Sequence, residues 1–203
     1  MKKQSDKSKK YGVKYFARRL KTPLKWDDLV LPEHTLEQVK ELEAWLQHGD
    51  ALLGDWDMRG KAKPGFRALF QGPSGTDKTL AASLLGKSTG RDIYRVDLSA
   101  IVSKYIGETE KNLARVFSTA EKKNWILFFD EADALFGKRT DVKDSHDRYA
   151  NQGVAYLLRR LDTYTGLAIL ATNLPENIDD AFGRRFQSII TFPLPDAAAR
   201  LTL

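Results

Sequence analysis

Short apolar runs alternate with amphipathic segments along most of the chain, and this alternation predicts its elements. The strand-length runs are predicted to be strands: Arg67–Gln71, Asp92–Leu98, Trp125–Phe129, Leu167–Ala171 and Ser188–Phe192. The segments next to them are predicted to be helices: Leu36–Gln47, Lys78–Lys87, Glu110–Lys123, Tyr149–Leu161 and Ile178–Phe186. Strands that alternate with helices favour an α/β fold, in which a parallel five-stranded sheet has helices on both faces.

Some of these elements have a clearer pattern than others. Trp125–Phe129 and Leu167–Ala171 are apolar throughout, as expected of strands that are buried on both faces. The first helix has apolar residues at helical spacing, and Thr35 before it is a candidate N-cap. Residues 26–32 are predicted to be a linker, and the glycine-containing segment 50–65 is predicted to be a loop.

The amino-acid composition excludes several classes of protein and several kinds of chemistry. The chain has 203 residues, of which 42% are hydrophobic and 30% are charged, as is ordinary for one globular domain. It has no cysteine, which excludes disulfides, thiol nucleophiles and iron–sulfur clusters. The longest apolar runs have five residues, too few to span a membrane. Since no secretory signal is expected either, the predicted location is cytoplasmic.

Basic residues concentrate at the start of the chain. Residues 1–25 contain ten lysines and arginines and one acid, Asp6, so this segment carries +9. The whole chain carries +6, which leaves −3 on residues 26–203. We therefore predict a basic, flexible tail over 1–25 and a folded domain over 26–203. Such a tail is either a solvated extension or a docking segment for nucleic acid or an acidic partner.

A glycine-rich turn follows the first predicted strand of the alternating region and precedes a predicted helix. It comprises Gly72, Pro73, Ser74, Gly75, Thr76, Asp77, Lys78 and Thr79. Backbone N–H groups of such a turn, together with the helix N-terminus, bind phosphate oxygens. In the motif G-x-x-x-x-G-K-[ST], the lysine reaches the β- and γ-phosphates and the hydroxyl ligates Mg²⁺. The turn therefore predicts a nucleotide site, with Lys78 and Thr79 in those two roles.

Asp77 stands where this motif has its second glycine. A glycine there lets the backbone approach the phosphates without an intervening Cβ, whereas aspartate adds a negative charge beside a polyanion. At about 5 Å and an effective dielectric of about 20, each pair of charges repels by about 3 kcal/mol. Half of that free energy is about a tenfold loss of affinity. Asp77 is expected either to impair nucleotide binding or hydrolysis strongly, or to lie turned away from the phosphates.

Polar residues follow two of the buried strands. Asp130 and Glu131 come directly after Trp125–Phe129, and Asn173 follows Leu167–Ala171. Because the carboxyl ends of parallel strands meet at one edge of a sheet, these side chains are expected beside the phosphate loop. Asp130 is predicted to hold Mg²⁺ through water, and Glu131 to polarise the attacking water. Asn173 is either a turn residue or a contact of the γ-phosphate.

Two adjacent arginines lie near the end of the chain, in the segment Ala181–Phe186. Paired arginines on a helix are usually solvated or salt-bridged. The alternative is that Arg184 and Arg185 are arginine fingers, which neutralise transition-state charge on a nucleotide held by a neighbouring subunit.

Residues 26–203 resemble the ATPase module of the classical AAA+ family. The resemblance rests on the order of the phosphate loop, Asp130-Glu131, Asn173 and Arg184-Arg185-Phe186, which match the two Walker motifs, sensor 1 and the arginine fingers. The segment Pro193–Asp196 is similar to the katanin and spastin branch.

Two further segments, Tyr94–Ser99 and Asp147–Gln152, resemble those of bacterial single-module AAA ATPases. Some of these ATPases are encoded beside phage-tail-like contractile injection systems.

The resemblance implies the P-loop NTPase fold of the AAA+ large subdomain, with ATP and Mg²⁺ as cofactors. It implies a homo-oligomeric ring, usually hexameric, with the nucleotide site between subunits. By the same resemblance, Lys104, Tyr105, Ile106 and Gly107 line a central pore and grip an extended polypeptide substrate. The chain ends soon after its last predicted strand, so the C-terminal helical lid of the family is expected to be absent.

Several functions are compatible with these residues, and protein remodelling or unfolding through a ring pore, driven by ATP hydrolysis, is the expected one. A second is a nucleotide-regulated assembly or scaffold module whose turnover is impaired by Asp77. A third is a nucleic-acid-associated ATPase, which only the basic tail supports. A small-molecule kinase would explain Lys78 and Asp130, but it gives no role to the arginine pair or to the segment around Tyr105.

Overall fold

The computed structural model describes residues 13–55, 65–98, 108–135, 145–178 and 180–195. Within these ranges the strands are β1 (Ala17–Leu20), β2 (Phe66–Gln71), β3 (Ile93–Val96), β4 (Ile126–Phe129), β5 (Leu167–Thr172) and β6 (Ser188–Thr191). The helices are α1 (Glu33–Asp55), α2 (Lys78–Thr89), α3 (Glu108–Lys123), α4 (Ser145–Thr163) and α5 (Asp180–Gly183).

One sheet contains all the described strands, in the order β1-β3-β4-β5-β2-β6. Strands β2 to β6 run parallel, which confirms the predicted five-stranded parallel sheet and the α/β fold. The end of β2 is in register with the ends of its neighbours, since Gln71 lies opposite both Thr172 and Thr191. The carboxyl ends of these strands therefore form one edge, from which the polar residues of the predicted site extend.

The sheet has a sixth strand that the sequence analysis did not predict. β1 pairs antiparallel with β3 and lies within the segment that was expected to be a flexible tail. Its start is buried at Phe16 and Ala17, whereas Arg18 and Arg19 are exposed. With so few apolar residues, β1 shows no alternation of apolar and polar positions from which a strand could be predicted. It is a strand because it pairs with β3. The expectation of a flexible tail is therefore wrong for residues 17–20.

Several element boundaries also differ from the predictions. α1 begins at Glu33, so Thr35 is not its N-cap; the Thr35 hydroxyl instead donates to the Thr191 carbonyl oxygen at 3.1 Å. The same helix continues to Asp55, into the predicted loop. The last helix, α5, is short because the chain turns into β6 soon after Gly183.

Apolar side chains cover both faces of the sheet. One layer joins α3 and α4 to the sheet, with Phe117, Leu127 and Leu157 among its fully buried members. The other joins α1 and α2 to the opposite face, through residues such as Leu42 and Leu84. Burial on both faces explains why β4 and β5 are apolar throughout. In the part of the chain that the structure describes, no helix is both long enough and apolar enough to cross a membrane.

A buried tyrosine links the end of α4 to the strand that precedes the acidic residues. The Tyr164 hydroxyl donates to the carbonyl oxygen of Trp125, and its ring contacts Phe117. Burial raises the pKa of Tyr164 above its usual range, so the side chain stays a neutral hydrogen-bond donor. This bond joins two segments that lie far apart in sequence.

We expect Tyr164→Phe to lower the free energy of unfolding by about 1–2 kcal/mol, because the buried Trp125 carbonyl loses its donor. Urea denaturation should show a lower midpoint at an unchanged slope. Thr163→Ala is the control, since it removes an exposed hydroxyl bonded to the Arg159 carbonyl and should change stability by less than about 0.5 kcal/mol. Equal stability of the Tyr164→Phe variant and the parent would contradict the assigned role of the hydroxyl.

Candidate functional site

The glycine-rich turn connects β2 to α2 and contains three residues with positive φ, Gly72, Gly75 and Asp77. Gly72 has φ +146°, and a Cβ there would lie 2.1 Å from the carbonyl oxygen of Phe192. No other residue fits so close an approach to the neighbouring backbone. Gly75 has φ +80°, in the left-handed region that favours glycine. The Thr76 hydroxyl closes the turn by donating to the Pro73 carbonyl at 2.8 Å.

Asp77 adopts the left-handed conformation that a glycine would adopt more easily. Its φ is +61° and ψ is +22°, and the next residue begins α2. The Ala81 N–H donates to the Asp77 carbonyl at 2.9 Å, so the first turn of the helix forms normally. Aspartate is one of the few residues besides glycine that visit this region, at a cost of about 1–2 kcal/mol. The loop therefore keeps its backbone shape, and the added feature is a partly exposed carboxylate.

Lys78 is enclosed by the loop, with only 6% of the residue exposed. Its Nζ donates to the carbonyl oxygens of Gly72 at 2.6 Å and Pro73 at 2.7 Å. Burial lowers the pKa of Lys78, whereas the charges of Asp130 and Asp133 raise it. The acids that act on this ammonium group thus come from the end of β4 and from the turn after it. The phosphate loop and the acidic end of β4 are therefore neighbours, as expected from the sequence.

The two predicted acids at the end of β4 have different surroundings. Asp130 is partly buried, and its carboxylate accepts the Glu131 N–H at 3.0 Å and contacts Arg95 of β3 at 3.2 Å. Glu131 is exposed and has φ +52°, a rare conformation for a non-glycine residue, which clusters at functional sites. One carboxylate is therefore held by protein groups, while the other faces solvent.

A third acid, Asp133, joins the ends of two strands, and the sequence analysis missed it. It lies on the short 3₁₀ turn Ala132–Leu135, and its carboxylate accepts the hydroxyl of the buried Thr172. It also accepts the backbone N–H of Asn173, at 3.4 Å. These bonds bring Asn173 to the same edge as Asp130. The signal was present as the third carboxylate in Asp130-Glu-Ala-Asp133, but its partner on β5 was not evident from sequence.

The two arginines of the predicted pair have different environments. Arg184 is exposed, whereas Arg185 forms an ion pair with Asp162 near the end of α4. The Arg185 carbonyl accepts a hydrogen bond from Nε of Arg67 at 2.9 Å. Arg67 is 2% exposed, and its guanidinium also donates to the carbonyls of Leu161 and Asp162 at 3.3 Å each. This buried arginine, which the sequence analysis did not single out, anchors the segment that carries the pair.

The arginine pair and the phosphate loop lie at opposite ends of β2. Arg67 is at the amino end of that strand, and Gly72 follows its carboxyl end. At about 3.3 Å per residue, the path from Arg67 to Gly72 is about 16 Å. An arginine side chain cannot cover that distance from a backbone bonded to Arg67. The structure therefore brings Lys78, Asp130, Glu131 and Asn173 to one edge and leaves Arg184 and Arg185 at the other.

The donor set at the loop fits Mg²⁺ held mainly by nucleotide and water. The available protein ligands are the Thr79 hydroxyl, at the start of α2, and the Asp130 carboxylate. Over the described ranges there is no cluster of three or more His, Asp or Glu residues that would hold a metal by itself. Mg²⁺ bound with nucleoside phosphates typically needs only one or two protein ligands, so these two residues suffice.

Part of the predicted site cannot be compared with the structure. Lys104, Tyr105, Ile106 and Gly107 lie outside the described residues, as do residues 1–12 of the basic segment. The pore-lining role of the first group and the partners of the second stay predictions.

Comparison with known proteins agrees with this architecture. The family model described as "ATPase family associated with various cellular activities (AAA)" matches residues 68–194. An uncharacterized AAA family ATPase of Sinorhizobium fredii, y4kL, is 38% identical over 134 residues, which are 65% of this chain and 40% of that protein. Fidgetin-like protein 1 of Homo sapiens is 31% identical over 183 residues, which are 88% of this chain and 26% of that protein.

A solved structure shares the fold. The crystal structure of the FIGL-1 AAA domain in complex with ADP superposes with a TM-score of 0.72 at 23% identity and covers 98% of this chain and 65% of that chain. The chain spans less than half the length of the two curated relatives above. The matched region contains the phosphate loop, the acidic strand end and the arginine pair. The chain therefore belongs to the AAA family of ATPases.

Proposed function

We propose that this chain binds ATP with Mg²⁺ at the loop Gly72–Thr79 and hydrolyses it at the edge formed by β2, β4 and β5. One observation carries the proposal: the Lys78 ammonium group is enclosed by the loop, and hydrogen bonds from Gly72 to Thr172 and from Thr172 to Asp133 join that loop to the acidic end of β4. A cation, an open loop of N–H groups and carboxylates are the parts that phosphoryl transfer needs. Their convergence from separate elements supports a catalytic site over a chance glycine turn.

In this proposal each residue of the edge has a distinct role. Lys78 turns from the loop carbonyls to the β- and γ-phosphates, and loop N–H groups bind the remaining oxygens. Mg²⁺ supplies charge neutralisation when bound, with Thr79 and Asp130 facing it. Glu131, which is exposed, accepts a proton from the attacking water or orients it. Asn173, held near the end of β5 by Asp133, is positioned to contact that water or the γ-phosphate.

We further propose that the arginine pair acts on a nucleotide held by a second copy of the chain. The separation of the pair from its own phosphate loop, about 16 Å along β2, supports an intermolecular role. A head-to-tail interface would supply an arginine from a neighbour to each nucleotide, and such an interface forms a ring where its rotation closes. A homo-oligomeric ring is therefore the proposed assembly, with six subunits expected from the family resemblance.

The proposed substrate of the ring is a polypeptide. The support is the resemblance of Lys104, Tyr105, Ile106 and Gly107 to pore-lining residues of classical AAA+ ATPases. Coupled to turnover at the nucleotide site, these residues would move an extended chain through the pore. Protein remodelling is thus the proposed activity of the whole assembly.

A second candidate function is a nucleotide-regulated assembly module with little turnover. The observation that favours it is Asp77, whose carboxylate is attached to a backbone in the glycine conformation of the loop. Because the Asp77 backbone has left-handed φ and ψ at the start of α2, its carboxylate is attached directly beside the proposed phosphate site. The following experiment separates the two candidates.

We expect Asp77→Gly to tighten ATP binding by about tenfold, because it removes one negative charge from the phosphate loop. Isothermal titration with ATP and Mg²⁺ measures the change. Asp77→Asn is the matched variant, since it removes the charge but keeps the size and the tolerance of positive φ. Tighter ATP binding in both variants would identify the charge of Asp77 as the cause of weak binding. Tighter binding in Asp77→Gly alone would identify backbone strain or side-chain size as the cause. If the parent chain binds and hydrolyses ATP no less effectively than the two variants, the assembly-module function would be ruled out.

We expect Glu131→Gln to retain ATP binding and to lose turnover by at least about 100-fold, because a general base in the transition state contributes about that much. Steady-state phosphate release, measured in the parent and in the Asp77→Gly background, tests this. Glu110→Gln, at an exposed position on α3, is the control and should leave turnover unchanged. Unchanged turnover in the Glu131→Gln variant would exclude Glu131 from catalysis.

We expect Arg184→Ala to bind ATP normally and to lose turnover by at least about 100-fold, since a missing arginine finger costs about 10³–10⁵ in rate. Mixing it with Lys78→Ala should restore part of the activity, because one variant supplies the intact loop and the other the arginine. Arg159→Ala, at an exposed position on α4, is the control. Failure of the mixture to regain activity would contradict an intermolecular role.

A further inference from the structure

Arg95 lies against the carboxylate that is proposed to face Mg²⁺. Its guanidinium nitrogen is 3.2 Å from Oδ2 of Asp130, and the side chains are 45% and 19% exposed respectively. Arg95 belongs to β3, which pairs directly with β4, so the strand register brings it beside the residue that follows β4. Arg95 belongs to the segment Tyr94–Ser99 noted above, but neither the phosphate-loop motif nor the proposed hydrolysis mechanism gives it a role.

The same two residues line an open cavity of about 540 Å³ beside the nucleotide edge. The cavity also contains Arg18 of β1 and two more acids, Asp97 and Glu131. Asp97 is two residues beyond Arg95 on the same strand path, and so on the same side of it. If Arg95 leaves Asp130, its guanidinium has space to move within this cavity.

Both charged groups that are proposed to meet the Mg²⁺–nucleotide complex are already paired within the chain. Lys78 donates to two carbonyl oxygens of its own loop, and Asp130 pairs with Arg95. A guanidinium at 3.2 Å from Oδ2 neutralises part of the negative charge that Asp130 offers to Mg²⁺, and it repels a metal ion that approaches the same carboxylate. Arg95 and the metal ion therefore compete for Asp130.

We propose that Arg95 competes with Mg²⁺ for Asp130 and so sets how much Mg²⁺ is needed to form the metal–nucleotide complex. This inference rests on the proposed function of the loop. Arg95 is a positioning residue, because it acts through Asp130. In the structure it holds the carboxylate. When Mg²⁺ and nucleotide bind, it moves into the cavity. The equilibrium cost of that displacement lowers the apparent affinity for Mg²⁺.

A second ion pair between strands β1 and β3 supplies a matched control. Arg19 on β1 pairs with Asp92 just before β3, with side chains 47% and 36% exposed. Arg19 is about as exposed as Arg95, whereas Asp92 is more exposed than Asp130, and this pair lies toward the amino end of β3, away from the phosphate loop. If the Arg95 pair only stabilises the fold, the Arg19 and Arg95 variants should therefore change the Mg²⁺ requirement to a similar extent.

The test is a titration of Mg²⁺ at a fixed, sub-saturating concentration of a fluorescent ADP analogue, with the full chain. Arg95→Gln should lower the half-saturating Mg²⁺ concentration by about twofold to fivefold, in line with the free energy of a partly exposed ion pair. Arg95→Lys, which keeps the charge, should stay near the parent. Arg19→Gln should leave the value unchanged. The same titration in the Asp77→Gly background covers the case in which Asp77 weakens nucleotide binding.

An Mg²⁺ requirement that is equal or higher in Arg95→Gln would overturn the competition while leaving the proposed function intact. The same reduction in Arg19→Gln would also overturn it, because the effect would then be one of general stability. Absence of nucleotide binding with either aspartate or glycine at position 77 would overturn the proposed function, and this inference with it.

Discussion

The burial of β2 between β5 and β6 is the constraint on which the rest of the site depends. Gly72 leaves the end of this strand so close to Phe192 that a Cβ would lie 2.1 Å from its carbonyl oxygen. The start of the phosphate loop is thereby set by the neighbouring backbone. At the other end of the same strand, Arg67 is buried and holds the backbone of Arg185. Strand β2 thus positions the phosphate loop at one edge of the sheet and the arginine segment at the opposite edge.

The charged side chains at the edge that carries the phosphate loop are paired with other groups of the protein. Lys78 is buried among loop carbonyls with Asp130 and Asp133 nearby, and Asp130 is also paired with Arg95. Paired charges avoid the large desolvation cost of isolated buried ones. In the proposed function, a nucleotide and its metal ion would have to replace these contacts, so affinity would depend on the strength of the contacts as well as on the new ones.

Much of the fold and part of the site could be predicted from sequence because the signals are local. The apolar runs of β4 and β5 and the parallel order of β2 to β6 follow from periodicity and alternation. The phosphate loop follows from residue types that meet backbone requirements, such as glycine at positive φ. The edge strand β1 was missed because its pairing with β3 is a long-range contact that four residues cannot encode in a pattern. For the same reason Arg67, Arg95 and Asp133 were missed as parts of the site.

By itself, the sequence determined the α/β class, the phosphate loop with its unusual Asp77, the acids after β4 and the arginine pair. These are properties of residue types at fixed spacing along one chain. Only the tertiary structure decided which charges meet. It paired Arg95 with Asp130 and Asp133 with Thr172, and it separated Arg184 and Arg185 from the loop by the length of β2. Such contacts join strands and helices far apart in sequence, and the sheet register sets them.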